Sequence, residues 1–160
     1  MTWAPSEDVE ANVAGRLTER QRARFHLAFV RPAYARVLGA IAALALGLVM
    51  LFTPETRGVG FVLTFVASTI GAPLVWDLWA TRRDLAGGVV KSKTAHLTPM
   101  SATEVRASTH WVRVDGEKLT LGAFDDGTVR EWYSRGGTFR FFYLPRTRRV
   151  VLHVHLDSPS

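Results

Sequence analysis

Apolar and polar positions are spread unevenly along this chain, and the unevenness divides it into three parts. No charged residue occurs from Val37 to Pro54 (VLGAIAALALGLVMLFTP), nor from Gly58 to Trp76 (GVGFVLTFVASTIGAPLVW). Each run has the length of roughly 18–20 residues that crosses about 30 Å of hydrocarbon as an α-helix. Neither alternates with period 2, which argues against barrel strands. Only Glu55, Thr56 and Arg57 separate them. The pattern therefore predicts an antiparallel helical hairpin in residues 34–80, with spans at about 36–54 and 58–79. The competing reading is a soluble helical hairpin inside a larger core. A chain of 160 residues does not easily cover two helices that are apolar all round.

The flanking parts carry different periodicities. Within an N-terminal segment 1–33, Thr18–Arg31 (TERQRARFHLAFVR) reads as a basic amphipathic helix. Thr18 and Gln21 stand at capping-box spacing, and Pro32 ends or kinks the helix. Residues 1–15 read as loosely structured, with a short helix capped by Ser6. After Val89 the runs become short and β-like. Val89–Leu97 is the first, His110–Val114 the second, and Lys118–Leu121 follows through Asp115-Gly116, a strong hairpin signal. That hairpin puts Val112, Val114, Leu119 and Leu121 on one face and Trp111 and Arg113 on the other. Asp125-Asp126-Gly127 reads as a polar turn. Thr138–Leu144 and Arg149–Leu156 form the last pair, joined by Pro145-Arg146-Thr147-Arg148. In the last strand strict alternation groups Val150, Leu152, Val154 and Leu156, leaving Val151, His153 and His155 opposite. Five short strands over 88–157 predict a small all-β, barrel-like domain of the SH3 or OB kind. The expected fold class is thus membrane α+β: basic helix, transmembrane hairpin, C-terminal β domain.

Charge orients this arrangement. Formal net charge is +6. Arg20, Arg22, Arg24, Arg31 and Arg36 precede the first span, Arg82 and Arg83 follow the second, and the connection holds only Arg57. Positive residues stay on the cytoplasmic side, so both termini are expected there, in a multi-pass protein of a cell inner membrane. Trp76 and Trp79, with Tyr34, stand where an inner-leaflet aromatic belt belongs, and the seven arginines are candidate membrane-surface residues. Every fourth residue of the spans is small: Ala35, Gly39, Ala43 and Gly47 in the first, Gly60, Thr64, Ser68 and Ala72 in the second. Helices associate in lipid by close backbone approach, so these stripes are candidate packing surfaces, with Gly47 against Gly60 and Ala35 against Ala72. One stripe serving a homo-oligomer is the alternative.

The chain has no cysteine, which excludes disulfides, thiolate metal sites and cysteine nucleophiles. It carries no phosphate loop, dinucleotide fingerprint, zinc-protease motif or nucleophile elbow. His153 and His155 lie two apart on one strand face, and His96 or His110 on a neighbouring strand is a candidate third metal ligand. No carboxylate stands at diagnostic spacing, so no metal and no cofactor is expected. Arg135-Gly136-Gly137-Thr138-Phe139-Arg140-Phe141-Phe142-Tyr143 faintly echoes an RNA-binding strand, but the flanking sequence lacks that fold's two helices, and no nucleic-acid partner is expected.

Several segments together resemble a known pattern. A leader, Gly15-Arg16-Leu17-Thr18-Glu19-Arg20-Gln21-Arg22, precedes two spans. Gly88-Val89 then opens the β region, and Gly137-Thr138-Phe139-Arg140-Phe141-Phe142-Tyr143-Leu144-Pro145 begins its last hairpin. This order resembles small bacterial two-span membrane proteins of unknown function with a C-terminal β-rich domain. The chain departs from it at His153-Val154-His155, where serine and glutamate would be expected. The resemblance implies architecture and brings no activity. The expected role is a non-catalytic anchor in the lipid bilayer presenting a cytoplasmic β module to a protein partner, or assembling with itself. The alternatives are a metal-binding sensor or enzyme built on the histidines, or a small oligomeric pore lined by Thr64 and Ser68.

Overall fold

The computed structural model describes residues 6–98, 111–121 and 126–156. Two compact units emerge. The described residues up to Phe25 join those from Asp84 onward in a terminal unit, and His26–Arg83 form a hairpin unit. The sequence divides the chain at 1–33, 34–80 and 88–157, and contacts group the described residues into these two units. The N-terminal segment is not a separate appendage, because its backbone pairs with the entry to the β region.

That pairing starts after α1 (Ser6–Val13). Gly15, at φ 73°, turns the chain out of the helix. Arg16 then forms an antiparallel bridge with Val89. The Leu17 amide donates to the Gly88 carbonyl and the Val90 amide to Gly15, each at 2.9 Å. Two segments remote in sequence thus satisfy each other's backbone groups. Thr18 opens α2 (Glu19–Phe25) with the expected reciprocal cap. The Gln21 amide donates to Thr18 Oγ1 (3.1 Å), and the Thr18 amide donates to Gln21 Oε1 (3.2 Å). Thr18 Oγ1 also donates to buried Asp8 at 2.6 Å, tying α2 to α1.

In the hairpin unit the first helix does not end at Pro32. It runs without a break from Glu19 to Leu51, passing through a π-helical turn at His26–Val30 into α3 (Arg31–Leu51). Proline lacks an amide donor and crowds the carbonyl one turn earlier, and a wider π turn relieves that crowding. The short connection is closed from both sides. Thr56 Oγ1 donates to the Met50 carbonyl (3.1 Å) and Arg57 Nε to Leu51 (3.2 Å). Then α4 (Arg57–Gly87) begins and continues through Pro73.

The β region of the terminal unit is not a closed barrel among the described residues. It holds a three-stranded antiparallel sheet, in the order β1 (Lys91–Leu97), β4 (Gly137–Tyr143), β5 (Val150–His155). A separate two-stranded hairpin joins β2 (Trp111–Val114) to β3 (Glu117–Thr120). Asp115 and Gly116 both take positive φ, as a primed two-residue turn demands. A helix not expected from sequence, α5 (Asp126–Arg135), lies between the β2–β3 hairpin and β4 in the chain. Asp126 begins this helix and is not part of a simple turn, while Asp125 lies outside the described residues. Gly136, at φ 62°, closes α5, its amide donating to the Trp132 carbonyl at 2.9 Å.

One core joins these pieces. Val112, Val114, Leu119 and Leu121 come from the hairpin, Val129, Trp132 and Tyr133 from α5, and Phe139, Phe141, Tyr143 and Val150 from the sheet. Burying each such side chain contributes about 1.5–3 kcal/mol. A bulge opposite Phe142 and Tyr143 changes the expected facing of β5. Tyr143 pairs with Val150 but Phe142 with Leu152, so Val150 falls on the same face as His153 and His155.

Candidate functional site

Two places in the structure gather the residues singled out by sequence: the hairpin unit and the aromatic side of the sheet. In the hairpin, closest approach occurs beside the connection. A Cβ built on Gly60 would lie 2.8 Å from the Gly47 carbonyl oxygen and from the Leu51 amide nitrogen. One built on Gly47 would lie 2.6 Å from Thr64 Oγ1 and 2.9 Å from its amide nitrogen. Gly47, Gly60 and Thr64 are thus brought together.

Further from the connection the expected stripes leave the interface. Nothing lies within 4 Å of a Cβ on Gly39, and Ala35, Ser68 and Ala72 are exposed. Ala43 is half-buried. Instead Gly71 approaches Ala40, at 3.4 Å from its Cβ. Less exposed positions include two series, Val37, Ala40, Leu44, Gly47, Leu51 and Gly60, Thr64, Ala67, Gly71, Leu74, Leu78. Their steps alternate three and four. A row of fourth residues rotates about 40° per step around a helix of 3.6 residues per turn, so it drifts off any straight seam. A 3.5-residue repeat stays on it and gives coiled-coil-like packing. Thr64 faces the seam, while Ser68, one turn further on, is exposed.

At the base of the hairpin α3 and α4 are joined by an aromatic and cationic cluster. Arg82 Nη1 donates to the Tyr34 hydroxyl at 2.6 Å, with its guanidinium carbon 5.8 Å from the ring centre. Arg83 lies over Trp79 at 5.3 Å, and Trp79 packs on Trp76 at 5.0 Å. Arg31, Arg36, Arg82 and Arg83 are exposed. Arg20 and Arg24 are exposed in the terminal unit. Arg22 is engaged within that unit, paired with Glu19 at 3.1 Å, and its Nη2 would lie 2.8 Å from a Cβ on Gly88.

Among the described residues, His153 and His155 are not brought together with His96. His153 sits 4.0 Å, ring to ring, from Trp132, and His155 stacks on Phe139 at 4.6 Å. Burial, and secondarily the nearby His155, push the His153 pKa down to about 4, so its ring is neutral near pH 7. His96 pairs with Thr138, one position from Phe139, and therefore lies on the opposite sheet face from His155. His110 lies outside the described residues. Among the described residues no three histidine or carboxylate side chains converge. His153 packs against α5 through Trp132, and His155 packs against Phe139 of β4. Phe139, Phe141 and Tyr143, the echo of an RNA-stacking strand, are buried in the same core and present no face to a base.

No family model, curated protein or solved structure matches this chain. Function must therefore be argued from the site itself.

Two features had little signal in sequence. Asp84 is buried, yet its carboxylate accepts from the Thr147 amide (2.9 Å), the Thr147 hydroxyl (3.0 Å) and the Arg146 amide (3.2 Å). It fastens the end of α4 to the β4–β5 turn, so Arg146 belongs to this latch rather than to a free basic turn. The other is the Lys93–Glu117 pair at 2.9 Å, between β1 and β3. Its hydrogen bond raises the lysine pKa and lowers that of the glutamate.

Proposed function

We propose that this chain is a non-catalytic integral membrane protein of a cell inner membrane. Its hairpin anchors a cytoplasmic β-rich module that docks a protein partner or assembles a membrane complex. One observation carries this reading. Both long helices are apolar enough to cross a membrane, yet only 6% and 11% of their most apolar stretches are buried. Leu38, Val49, Phe61 and Phe65 are each about two-thirds exposed (65%, 65%, 66% and 65%). In water an apolar surface this continuous demands a cover, and lipid supplies one without a further chain. The terminal unit, by contrast, has its own core and is suited to aqueous surroundings.

The arginine distribution supports cytoplasmic termini. The Arg16–Val89 bridge supports the same-side placement of the two ends, since a paired backbone cannot be divided by a bilayer. The test has two readouts. The intact chain should stay with membranes through an alkaline wash, and tags on both ends should be cut by protease only when the cytoplasmic face is exposed. Extraction into the aqueous fraction would end the anchor reading. Isolation in mild detergent should then recover a stoichiometric partner or a defined oligomer. A lone monomer would remove the docking role while leaving the anchor.

A further inference from the structure

The base of the hairpin carries more positive charge than its own surroundings neutralise. Arg31, Arg36, Arg82 and Arg83 are exposed, and among the described residues none of them forms an ion pair. The contacts of Arg82 and Arg83 are to aromatic groups instead. In the Arg82–Tyr34 bond the phenol oxygen is the acceptor, which leaves the phenolic proton to be donated elsewhere. Among the described residues that proton has no acceptor. One guanidinium, a second guanidinium from the next residue and a phenolic O–H are therefore held at one level of the hairpin. All are donors, and among the described residues none is ion-paired, although Asp77 lies on the same stretch of α4. Arg31, one turn before Tyr34 on α3, adds a fourth donor group near that level. Trp76 and Trp79 give the same level an amphipathic wall, with Trp76 67% exposed. Indoles of this kind settle at the headgroup layer of a bilayer.

We propose that this cluster binds the phosphate headgroup of an anionic phospholipid, with Arg82 and Arg83 as the charged contacts, Tyr34 as the hydroxyl donor, and Trp79 and Trp76 against the glycerol and upper acyl chains. This rests on the membrane-anchor reading above and gives it a ligand. Charge complementarity names the occupant: the level selected by the indoles is where lipid phosphates lie. Guanidinium binds a phosphate oxygen pair through a planar fork of donors. A zwitterionic headgroup offers the same phosphate but brings an ammonium group that four arginines disfavour.

The full-length protein is reconstituted in phosphatidylcholine vesicles in which a minor fraction of lipid has brominated acyl chains, and tryptophan quenching is read. The brominated lipid is either phosphatidylcholine or phosphatidylglycerol. The proposal expects brominated phosphatidylglycerol to quench as though enriched roughly tenfold at the indoles. Arg83→Gln, which leaves the Arg82–Tyr34 bond intact, should reduce that preference, and Arg82→Gln with Arg83→Gln should abolish it. Arg113→Gln in the β2–β3 hairpin should leave it unchanged. Equal quenching by the two lipids would overturn the proposal while leaving the anchor standing. Loss of the preference on adding inorganic phosphate would overturn the lipid assignment in favour of a soluble anion. No quenching by either lipid would overturn both readings at once.

Discussion

In the terminal unit, Phe141 and Leu119 are fully buried. In the hairpin unit, Phe61 and Phe65 are about two-thirds exposed. Both regions contain large apolar side chains, and they differ in where those side chains go. The terminal unit folds a three-stranded sheet, a β-hairpin and α5 around one aromatic core. The hairpin unit buries only a narrow seam that includes Gly47, Gly60 and Ala67 and turns many of its large side chains outward. A core held by side-chain burial and a seam held by backbone proximity should fail under different substitutions.

The largest effect is expected at the core. Phe141→Ala should destabilise the terminal unit by about 3–5 kcal/mol through lost burial and a cavity. The hairpin's helical signal in detergent should survive. If circular dichroism shows both units melting together, the two do not fold independently.

Acid should act on the same core. His153 protonates near pH 6.5 when the chain is unfolded and near 4 when folded. Between those values the unfolded chain binds more protons, so stability falls as pH drops from 6.5 to about 4 and levels off below. The loss is on the order of 3 kcal/mol. His153→Phe should remove that part of the slope, as read by denaturant midpoints across the pH range. An unchanged slope would mean the ring is not held neutral.

At the seam, Gly60→Val should cost about 1–3 kcal/mol or more, because its Cβ meets backbone atoms. Gly39→Val, with open space around it, should be nearly neutral. Cysteine pairs introduced across the seam can measure this by crosslinking efficiency, since the chain has no native thiol. Equal effects at Gly39 and Gly60 would refute the 3.5-residue seam. The smallest effect belongs to Tyr34→Phe. It removes one hydrogen bond to Arg82 and should lower thermal stability in detergent by about 1 kcal/mol.

These contrasts follow what sequence can and cannot express. The capping box at Thr18 and Gln21 and the turn at Asp115-Gly116 are local devices, and local spacing is enough to read them. The contact of Gly47 with Gly60 follows from the short connection between two apolar runs. The far end of the seam was misread because a fourth-residue rule accumulates angular error along a helix. Val150 departs from its expected grouping with Leu152 and Val154 because one bulged residue reverses the alternation between them. For α5 a signal existed: Val129, Trp132 and Tyr133 share one helical face by spacing, but the Asp-Gly at its start reads as a turn. The Asp84 latch had no readable spacing, because its partners lie across the fold.

The bridge between Arg16 and Val89 bears on the order of folding. During synthesis Gly15, Arg16 and Leu17 emerge long before Gly88, Val89 and Val90 exist to pair with them. Closing so wide a loop in a free chain carries a substantial entropic penalty. Once α3 and α4 stand side by side, however, the chain has already doubled back on itself, and the remaining gap is short. Pairing of the two helices therefore lowers the barrier to uniting the two ends. A variant that cannot form the hairpin should leave its leader open to proteolysis even though every residue of the leader is unchanged.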